Sequence, residues 1–363
     1  MRFKRIMINI NTIELIEILG KTPANQNIML EGKHGIGKSE ILTQYYTEKG
    51  YKVVALFLGQ MSDPGDLIGL PIKNDKSGRT EFLPPYWFPS DGQPVVLFLD
   101  ELNRARPEVL QTIMDLALNR KLAGRNLPEG SRLISAVNDG EEYQLTDLDP
   151  ALVSRFNVYG FRPTYKEWLL WAEKQKLDSR VTDFIASNPD WLDGTAADRP
   201  QIDSGLEKYP DRRAWKKVSD IVLPIKELNE IDQKIIAGVV GIQAAQKFYA
   251  SASAAKIIGG REILLNFDKY ESKIAKYKVH QFSALNEGIY RFLETAEITD
   301  KEKTTAADNL KKYIALLESS KNKESLAHFT SIFSQGMYPK AVAFMVSNAM
   351  EVYQKIMKFV AAL

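Results

Sequence analysis

A glycine-containing segment, GKHGIGKS, carries the most specific chemical signal in the sequence. It fits the phosphate-binding pattern G-x-x-x-x-G-K-[ST], in which glycines let backbone N–H groups turn around a phosphate and the next helix adds partial positive charge. In this pattern the amine of Lys38 reaches the β- and γ-phosphates, and the hydroxyl of Ser39 binds Mg²⁺. The residues expected to bind nucleotide are Gly32, Lys33, His34, Gly35, Ile36, Gly37, Lys38, Ser39 and Glu40.

The alternative for this segment is a purely structural role, as a glycine turn between a strand and a helix. A predicted strand before the segment and a predicted helix after it are the context that phosphate binding requires, so we favour the phosphate loop. The imidazole of His34 is expected to face solvent and to have no special role.

An acidic pair follows the most apolar run of the chain. The segment VVLFLDE puts Asp100 and Glu101 at the end of a predicted buried strand. Ligands of a parallel α/β sheet bind at the carboxyl ends of its strands, so the pair is expected beside the phosphate loop. Asp100 would then meet Mg²⁺, and Glu101 would polarise a water for attack on the γ-phosphate. The alternative is an ordinary acidic turn after a strand.

Three further positions could complete a site for phosphoryl chemistry. Asn138 ends the strand RLISAVN and could hold the attacking water or touch the γ-phosphate; its alternative is a turn asparagine. Arg155 suits an arginine finger that acts on a neighbouring subunit's nucleotide, and its alternative is a surface salt bridge. In YPDRRAW, Arg213 is preferred over Arg212 as the residue that folds over nucleotide from a second domain, with a structural role as the alternative.

The elements that must position these residues alternate between strand and helix. Apolar runs predict five strands and periodic segments predict intervening helices, which indicates a parallel α/β sheet. The predicted strands are 27–31, 52–58, 95–99, 132–137 and 156–161, with helices at 11–19, 40–48 and 106–119. After Pro163 the pattern becomes helical, with polar turns expected at 300–305 and 319–324, a helical stretch at 342–363 and an apolar C-terminal helix, VYQKIMKFVAAL.

Taken together and in order, these motifs resemble the MoxR-like branch of the AAA+ ATPases. The similarity runs from Ile28 to about Phe248 and leaves the last hundred or so residues unassigned. The segments that carry it are GKHGIGKS (Walker A), VVLFLDE with LNRARPEV (Walker B), QMSDPGDLIGLP, EFLPPYWFP, SAVND, LDPALVSRF, RRAW and GVVGIQAAQKF. EFLPPYWFP is similar to the branch's insert in helix two, which implies a pore or substrate loop. Arg212 stands where the family often has proline.

The resemblance implies a P-loop AAA+ core with a parallel five-stranded sheet, a helical lid and an all-α C-terminal extension. The corresponding domains are residues 1–162, 163–255 and 256–363. It also implies an ATP-hydrolysing, Mg²⁺-dependent remodelling or chaperone-like motor that acts on a protein target as a homo-oligomer, usually a hexameric ring. Many relatives work with a von Willebrand factor A domain, which would here be a separate chain because the sequence has no DxSxS motif.

The amino-acid composition limits the classes of function and the kinds of site that the chain can have. The chain has 363 residues, with 48 basic and 46 acidic ones, so its formal charge is only +2. A nucleic-acid motor or loader is therefore possible but not favoured, because it would need a local patch such as Arg120, Lys121 and Arg125. Without cysteine, thiolate metal sites and disulfides are excluded. No apolar stretch has the length of a membrane span, and a cytoplasmic location is expected.

Overall fold

The computed structural model describes residues 7–139, 148–194, 208–253, 258–319 and 322–361. The chain divides into two compact units, Met1–Thr164 and Tyr165–Leu363. Each unit is built around its own apolar clusters, two in each case.

A parallel six-stranded sheet forms the centre of the first unit. Its strands, in chain order, are β1 (Asn9–Ile10), β2 (Asn27–Gly32), β3 (Lys52–Phe57), β6 (Val95–Asp100), β9 (Arg132–Asn138) and β10 (Phe156–Phe161). Their order across the sheet is β1-β10-β2-β9-β6-β3. Four further strands form two small hairpins: β4 (Leu70–Lys73) with β5 (Thr80–Leu83), and β7 (Lys121–Leu122) with β8 (Arg125–Asn126).

The predicted α/β fold class is confirmed, and the sheet has one strand more than the five that were predicted. The additional strand, β1, is only two residues long and pairs in parallel with the end of β10. So short a strand carries no alternation of apolar and polar residues, and only its partner strand defines it.

Helices cover both faces of this sheet. They are α1 (Thr12–Lys21), α2 (Lys38–Glu48), α3 (Gly65–Ile68), α4 (Pro107–Asn119) and α5 (Pro150–Val153). Alternate residues of one strand therefore enter different cores: Leu97 and Leu99 pack on one side of the sheet, and Val96 and Phe98 on the other. This double burial explains why the central strands are continuous apolar runs.

The stretch between β3 and β6 has structure of its own, as its length and composition predict. It contains α3 and the β4–β5 hairpin, and it leaves large apolar side chains exposed, including Leu70 and Tyr86, which is 96% exposed. Gly69 has φ +86°, and a Cβ there would lie 1.8 Å from the carbonyl oxygen of Leu83. Only glycine fits at this close approach.

The second unit is helical throughout its described residues. Its α-helices are α6 (Tyr165–Lys174), α7 (Ser179–Ser187), α8 (Arg212–Val222), α9 (Glu230–Val240), α10 (Ile242–Ser253), α11 (Gly260–Ile274), α12 (Val279–Thr295), α13 (Asp300–Leu317), α14 (Lys323–Ser334), α15 (Pro339–Asn348) and α16 (Met350–Ala361). One core surrounds Phe184, Trp215 and Phe248, and the other surrounds Tyr290, Tyr313 and Phe329.

One local prediction in this unit is wrong. The polar segment at 300–305 begins helix α13, because Thr299 and Glu302 form a capping box. The predicted apolar C-terminal helix is found as α16, and its last two residues lie outside the described residues. The helical stretch at 342–363 also includes the end of α15, and the backbone leaves the helical region between the two helices at Ala349, with φ −137° and ψ 51°.

The division of this unit into lid and tail remains a prediction. Ion pairs join α12 to α6 across the predicted boundary at 255: Arg291 Nε lies 2.7 Å from Glu173 Oε1, and Lys166 Nζ lies 2.9 Å from Glu287 Oε1. Over the described ranges, no helix combines the length and the apolar character that crossing a bilayer would require.

Candidate functional site

The carboxyl ends of three neighbouring strands bring most of the predicted site residues together. Gly32 at the end of β2 is paired with Asn138 at the end of β9, and β6 lies on the other side of β9. The hydroxyl of Ser39 donates to Asp100 Oδ2 at 2.9 Å, and Lys38 Nζ donates to Asn138 Oδ1 at 3.1 Å. Two pairs of residues, separated by 61 and 100 positions in the sequence, thus meet at the carboxyl ends of the strands.

The phosphate loop has the backbone that its glycines predict. Gly35 and Gly37 have φ +77° and +95°, in the left-handed region. Gly32 is needed for space, since a Cβ there would lie 2.9 Å from the carbonyl oxygen of Phe161. Helix α2 begins at Lys38, and its N-cap, Gly37, provides no side-chain cap. The first N–H groups of α2 are therefore available to an anion.

Lys38 is held in a largely buried position. Its amine donates to the carbonyl oxygens of Gly32 (2.7 Å) and Lys33 (2.9 Å) as well as to Asn138. Burial lowers the pKa of Lys38 to about 8, and the nearby Asp100 carboxylate opposes this shift. A buried cation next to a helix N-terminus provides the electrostatics that a triphosphate requires.

Asn138 has a buried donor that no described residue satisfies. Its backbone N–H donates to Asn103 Oδ1 (3.2 Å), and Asn103 Nδ2 donates back to the Asn138 carbonyl (2.9 Å). These bonds fix the backbone of Asn138, while its side-chain Nδ2 lacks a hydrogen-bond partner among the residues that the structure describes. A buried unpaired N–H is costly unless a ligand accepts from it. The residues present therefore fit a bound phosphate group.

Sequence reasoning missed Asn103. It is two residues beyond Glu101, in a short 3-10 helix at Leu102–Arg104, and is only 7% exposed. The available signal was a polar residue at a position that the following helix would bury.

A second missed group lies beside the phosphate loop. Arg162, at the end of β10, forms ion pairs with Glu31 Oε2 (2.7 Å) and Asp139 Oδ2 (2.9 Å). The three residues stand at the ends of three adjacent strands, so Arg162 ties the residue before the loop to the residue after Asn138. Charged residues at successive strand ends were the signal, but their partners depend on strand order.

Glu101 has an unusual backbone. Its φ of 56° and ψ of 40° put a non-glycine residue in the left-handed region, which costs on the order of 1 kcal/mol. Its N–H donates to Asp100 Oδ1 (2.9 Å), and its carboxylate accepts from Arg104 Nη1 (2.8 Å).

The described residues include no cluster of three or more histidine, aspartate or glutamate side chains that could hold a metal by itself. The Ser39 hydroxyl and the Asp100 carboxylate provide two oxygen ligands, which fits Mg²⁺ because this ion usually takes its remaining ligands from water and substrate phosphates.

Arg155 lies at the amino ends of the strands, whereas the phosphate loop lies at their carboxyl ends. It precedes β10, and its carbonyl accepts from Asn27 Nδ2 at the amino end of β2 (2.9 Å). Five residue steps of β2 separate Asn27 from Gly32, which corresponds to roughly 16 Å. Its guanidinium also donates to the Ala151 carbonyl. The structure does not bring Arg155 to the phosphate loop of its own chain.

Arg212 and Arg213 begin helix α8 of the second unit and differ in environment. Arg212 is 8% exposed, and its guanidinium binds Asp193 through Nε (3.0 Å) and Nη2 (2.9 Å). Arg213, one position further around the helix, is exposed to solvent. A buried ion pair explains Arg212 structurally.

The basic patch suggested by the sequence is incomplete. Arg120 Nη2 donates to the Ala24 carbonyl (3.0 Å), and burial lowers the pKa of this arginine. Lys121 and Arg125 belong to the β7–β8 hairpin. Arg120 therefore has a structural role that competes with contact to a nucleic-acid backbone.

Comparison with known proteins gives a family match for part of the first unit. The sequence profile of the family described as AAA domain (dynein-related subfamily) matches residues 27–156. A protein of Thauera aromatica described as "Putative chaperone BssE" is 27% identical over 162 residues, which are 42% of this chain and 56% of that protein. The chain thus spans about half the length of this curated relative.

Solved structures are less similar to this chain than the relative found by sequence. A structure from Cytophaga hutchinsonii described as a "putative ATPase" has 12% identity and a TM-score of 0.34, covering 96% of this chain and 87% of the other. The RuvB Holliday junction branch migration motor of Thermotoga maritima has 15% identity and a TM-score of 0.36, covering 80% and 87%. These scores are low, so the assignment depends on the sequence matches. Residues 27–156 thus match an AAA domain, and the AAA+ resemblance that the motifs predict is confirmed for this part of the chain.

Proposed function

We propose that this AAA+ ATPase hydrolyses ATP to remodel a protein target, working as a ring of identical subunits. The observation that carries the proposal is the meeting of Lys38, Ser39, Asp100 and Asn138 at the carboxyl ends of the strands. The buried Nδ2 donor of Asn138 has no partner within the described part of the chain. These groups match the needs of a nucleoside triphosphate.

The chemistry of each side chain indicates its role in hydrolysis. Lys38 and the N-terminus of α2 bind the phosphates, and Asn138 Nδ2 donates to the γ-phosphate or to the attacking water. Mg²⁺, held by Ser39 and Asp100, would neutralise phosphate charge. Glu101 accepts the proton of the water as general base. Hydrolysis then needs no covalent intermediate.

A ring accounts for the position of Arg155. A finger arginine must reach the γ-phosphate. Arg155 lies at the amino ends of the strands and is far from the phosphate loop of its own chain. A neighbouring subunit that presents these ends would complete the site in trans. Arg213 is the proposed sensor-two contact to nucleotide, as the family resemblance of the RRAW segment implies. A hexamer is the expected closed ring, as the family resemblance implies.

The target is proposed to be a protein. The β4–β5 hairpin and its flank expose Leu70, Leu83 and Tyr86, an apolar surface that suits an unfolded or partly folded segment. The Thauera relative is described as a chaperone, which supports the same class of substrate. A separate protein with a von Willebrand factor A domain is the proposed partner.

The test is ATP turnover measured against protein concentration, for the wild type, Glu101→Gln and Arg155→Ala. Ring formation predicts that turnover per chain rises with concentration, and that each substitution lowers it by on the order of 10³-fold at saturation. Equal turnover in all three proteins would contradict the proposal. Capture of a protein target by the ATP-bound Glu101→Gln variant then identifies the substrate.

A further inference from the structure

A cavity of about 360 Å³ opens at the amino ends of the strands in the first unit. It lies between the end of α1, the end of α2 and the residues that begin β3 and β9. The side chains of interest in its lining are Tyr45, Tyr46, Lys49, Tyr51 and Arg132. Arg132 begins β9 and Asn138 ends it, so the length of this strand, roughly 20 Å, separates the cavity from the candidate nucleotide site. The cavity is therefore a separate feature of the fold.

The guanidinium of Arg132 is held on one side and lacks a partner on another. Its Nη1 donates to the Thr22 carbonyl oxygen at 2.8 Å, whereas its buried Nε has no hydrogen-bond partner among the described residues. In Arg212 the Nε and Nη2 edge is the one that binds the Asp193 carboxylate. This edge of an arginine matches two oxygens of an anion. Arg132 Nε is thus a fixed donor for which the described part of the chain supplies no acceptor.

The hydroxyl of Tyr46 is a second donor of this kind. Tyr46 is 1% exposed, its ring packs edge-on against those of Tyr45 and Tyr51, and the Arg132 guanidinium carbon lies 5.7 Å from its ring centroid. Burial raises the pKa of Tyr46 to about 12, although Arg132 opposes the shift, so the hydroxyl keeps its proton at neutral pH. It too has no partner within the described ranges. Buried donors without acceptors are costly unless a ligand accepts from them.

The cavity also has an excess of positive charge. Its lining contains Lys49 and Arg132 and, among the described residues, no carboxylate. Lys49 Nζ lies 5.0 Å from the ring centroid of Tyr45. Arg120 adds a third cation nearby, since burial and the charge of Arg132 both lower its pKa. Cations held together without an acidic partner repel one another, and a bound anion would offset this cost.

We propose that this cavity binds the phosphate group of a small phosphate monoester. The phosphate oxygens accept from Arg132 Nε and from the Tyr46 hydroxyl, and Lys49 supplies the second positive charge. A phosphate monoester carries up to about two negative charges at neutral pH, which matches two lining cations, whereas a carboxylate carries one. The volume is that of a small-molecule site, and the tyrosine rings provide apolar walls for the organic part of the ligand.

The experiment is a calorimetric titration of phenyl phosphate into the whole chain, with the nucleotide site filled by a non-hydrolysable ATP analogue and Mg²⁺. The wild type should bind at one saturable site. Arg132→Gln should lower the affinity by at least about tenfold, and Lys49→Gln and Tyr46→Phe by about fivefold each. Lys52→Gln is the matched control for Lys49→Gln, because Lys52 is an exposed lysine at the start of β3 that does not line the cavity. Its affinity should equal that of the wild type.

Three results would overturn the proposal. The first is the absence of saturable binding at millimolar phenyl phosphate. The second is equal affinity in the wild type and Arg132→Gln, which would locate the ligand elsewhere, the phosphate loop included. The third is equal affinity for benzoate and phenyl phosphate, because the site is proposed to select a dianion.

Tyr46→Phe keeps the test decisive should Arg132→Gln fail to fold. This substitution removes a hydroxyl that has no partner among the described residues, so the ligand-free variant should unfold at a temperature equal to or above that of the wild type. Lower affinity in a variant of undiminished stability supports the site. A lower unfolding temperature with unchanged affinity would show that the hydroxyl serves the fold, and this too contradicts the proposal.

Discussion

Lys38 Nζ lies 3.1 Å from Asn138 Oδ1, and this contact orients the amide of Asn138. A lysine ammonium can only donate, so it must face the amide oxygen, and the amide nitrogen is turned the other way. The lysine that is proposed to bind phosphate thereby directs the Asn138 donor, Nδ2, which has no partner among the described residues.

Removing that donor should impair hydrolysis more than binding. Asn138→Asp replaces the N–H₂ group by an oxygen and should lower kcat by on the order of 10²-fold while nucleotide affinity changes only a few-fold. Steady-state turnover together with titration of a fluorescent ATP analogue separates the two effects. A proportional loss of affinity and rate would instead assign Asn138 to ground-state binding.

Nucleotide affinity should fall as pH rises above 8. Burial lowers the pKa of Lys38 to about 8 in the free protein, and bound phosphate should raise it again. Binding therefore takes up a proton above pH 8, and the dissociation constant should increase by up to about tenfold per pH unit. Calorimetric titrations from pH 7 to pH 10 measure the slope. Lys38→Met should bind weakly and lose this dependence on pH.

Asp100 should control the requirement for Mg²⁺. Asp100→Asn keeps the size of the side chain and removes its charge, so the Mg²⁺ concentration that gives half-maximal turnover should rise by on the order of tenfold. Turnover is measured against free Mg²⁺ at fixed ATP. Glu108→Gln, on the exposed first turn of α4, is the control and should leave the curve in place.

Mixing two inactive variants should restore part of the activity if Arg155 acts in trans. An Arg155→Ala subunit keeps its own Glu101, and a Glu101→Gln subunit can supply Arg155 to it. Turnover in mixtures should therefore exceed that of either variant alone and reach a maximum near equal proportions. Additive, near-zero turnover at every ratio is the result expected if Arg155 acts within its own chain.

The two arginines of α8 should respond differently to substitution. Arg212→Ala leaves Asp193 without its buried partner and should destabilise the fold by roughly 3 kcal/mol. Arg213→Ala should leave the unfolding transition nearly unchanged and lower ATP turnover. Thermal unfolding and turnover of both variants give the comparison. Loss of stability in Arg213→Ala alone would reverse the assignment.

The sequence by itself determined the elements of the fold and most residues of the candidate site. The phosphate loop and the acidic pair are local patterns, and their spacing from predicted strands locates them because parallel strands end at a common edge. Central strands are recognisable because burial on both faces makes them continuously apolar. The same reasoning failed for β1 and for the polar start of α13, where a partner strand and a capping box decide the structure.

Tertiary structure decided which polar groups become partners. Arg162, Glu31 and Asp139 meet because β10, β2 and β9 are neighbours in the sheet, an order that no local pattern contains. Arg212 and Arg213 are chemically equivalent in sequence, but one step around a helix rotates the side chain by about 100°, which buries the first and exposes the second. The sequence therefore determined which chemistry is present, and packing determined which atoms are free to perform it.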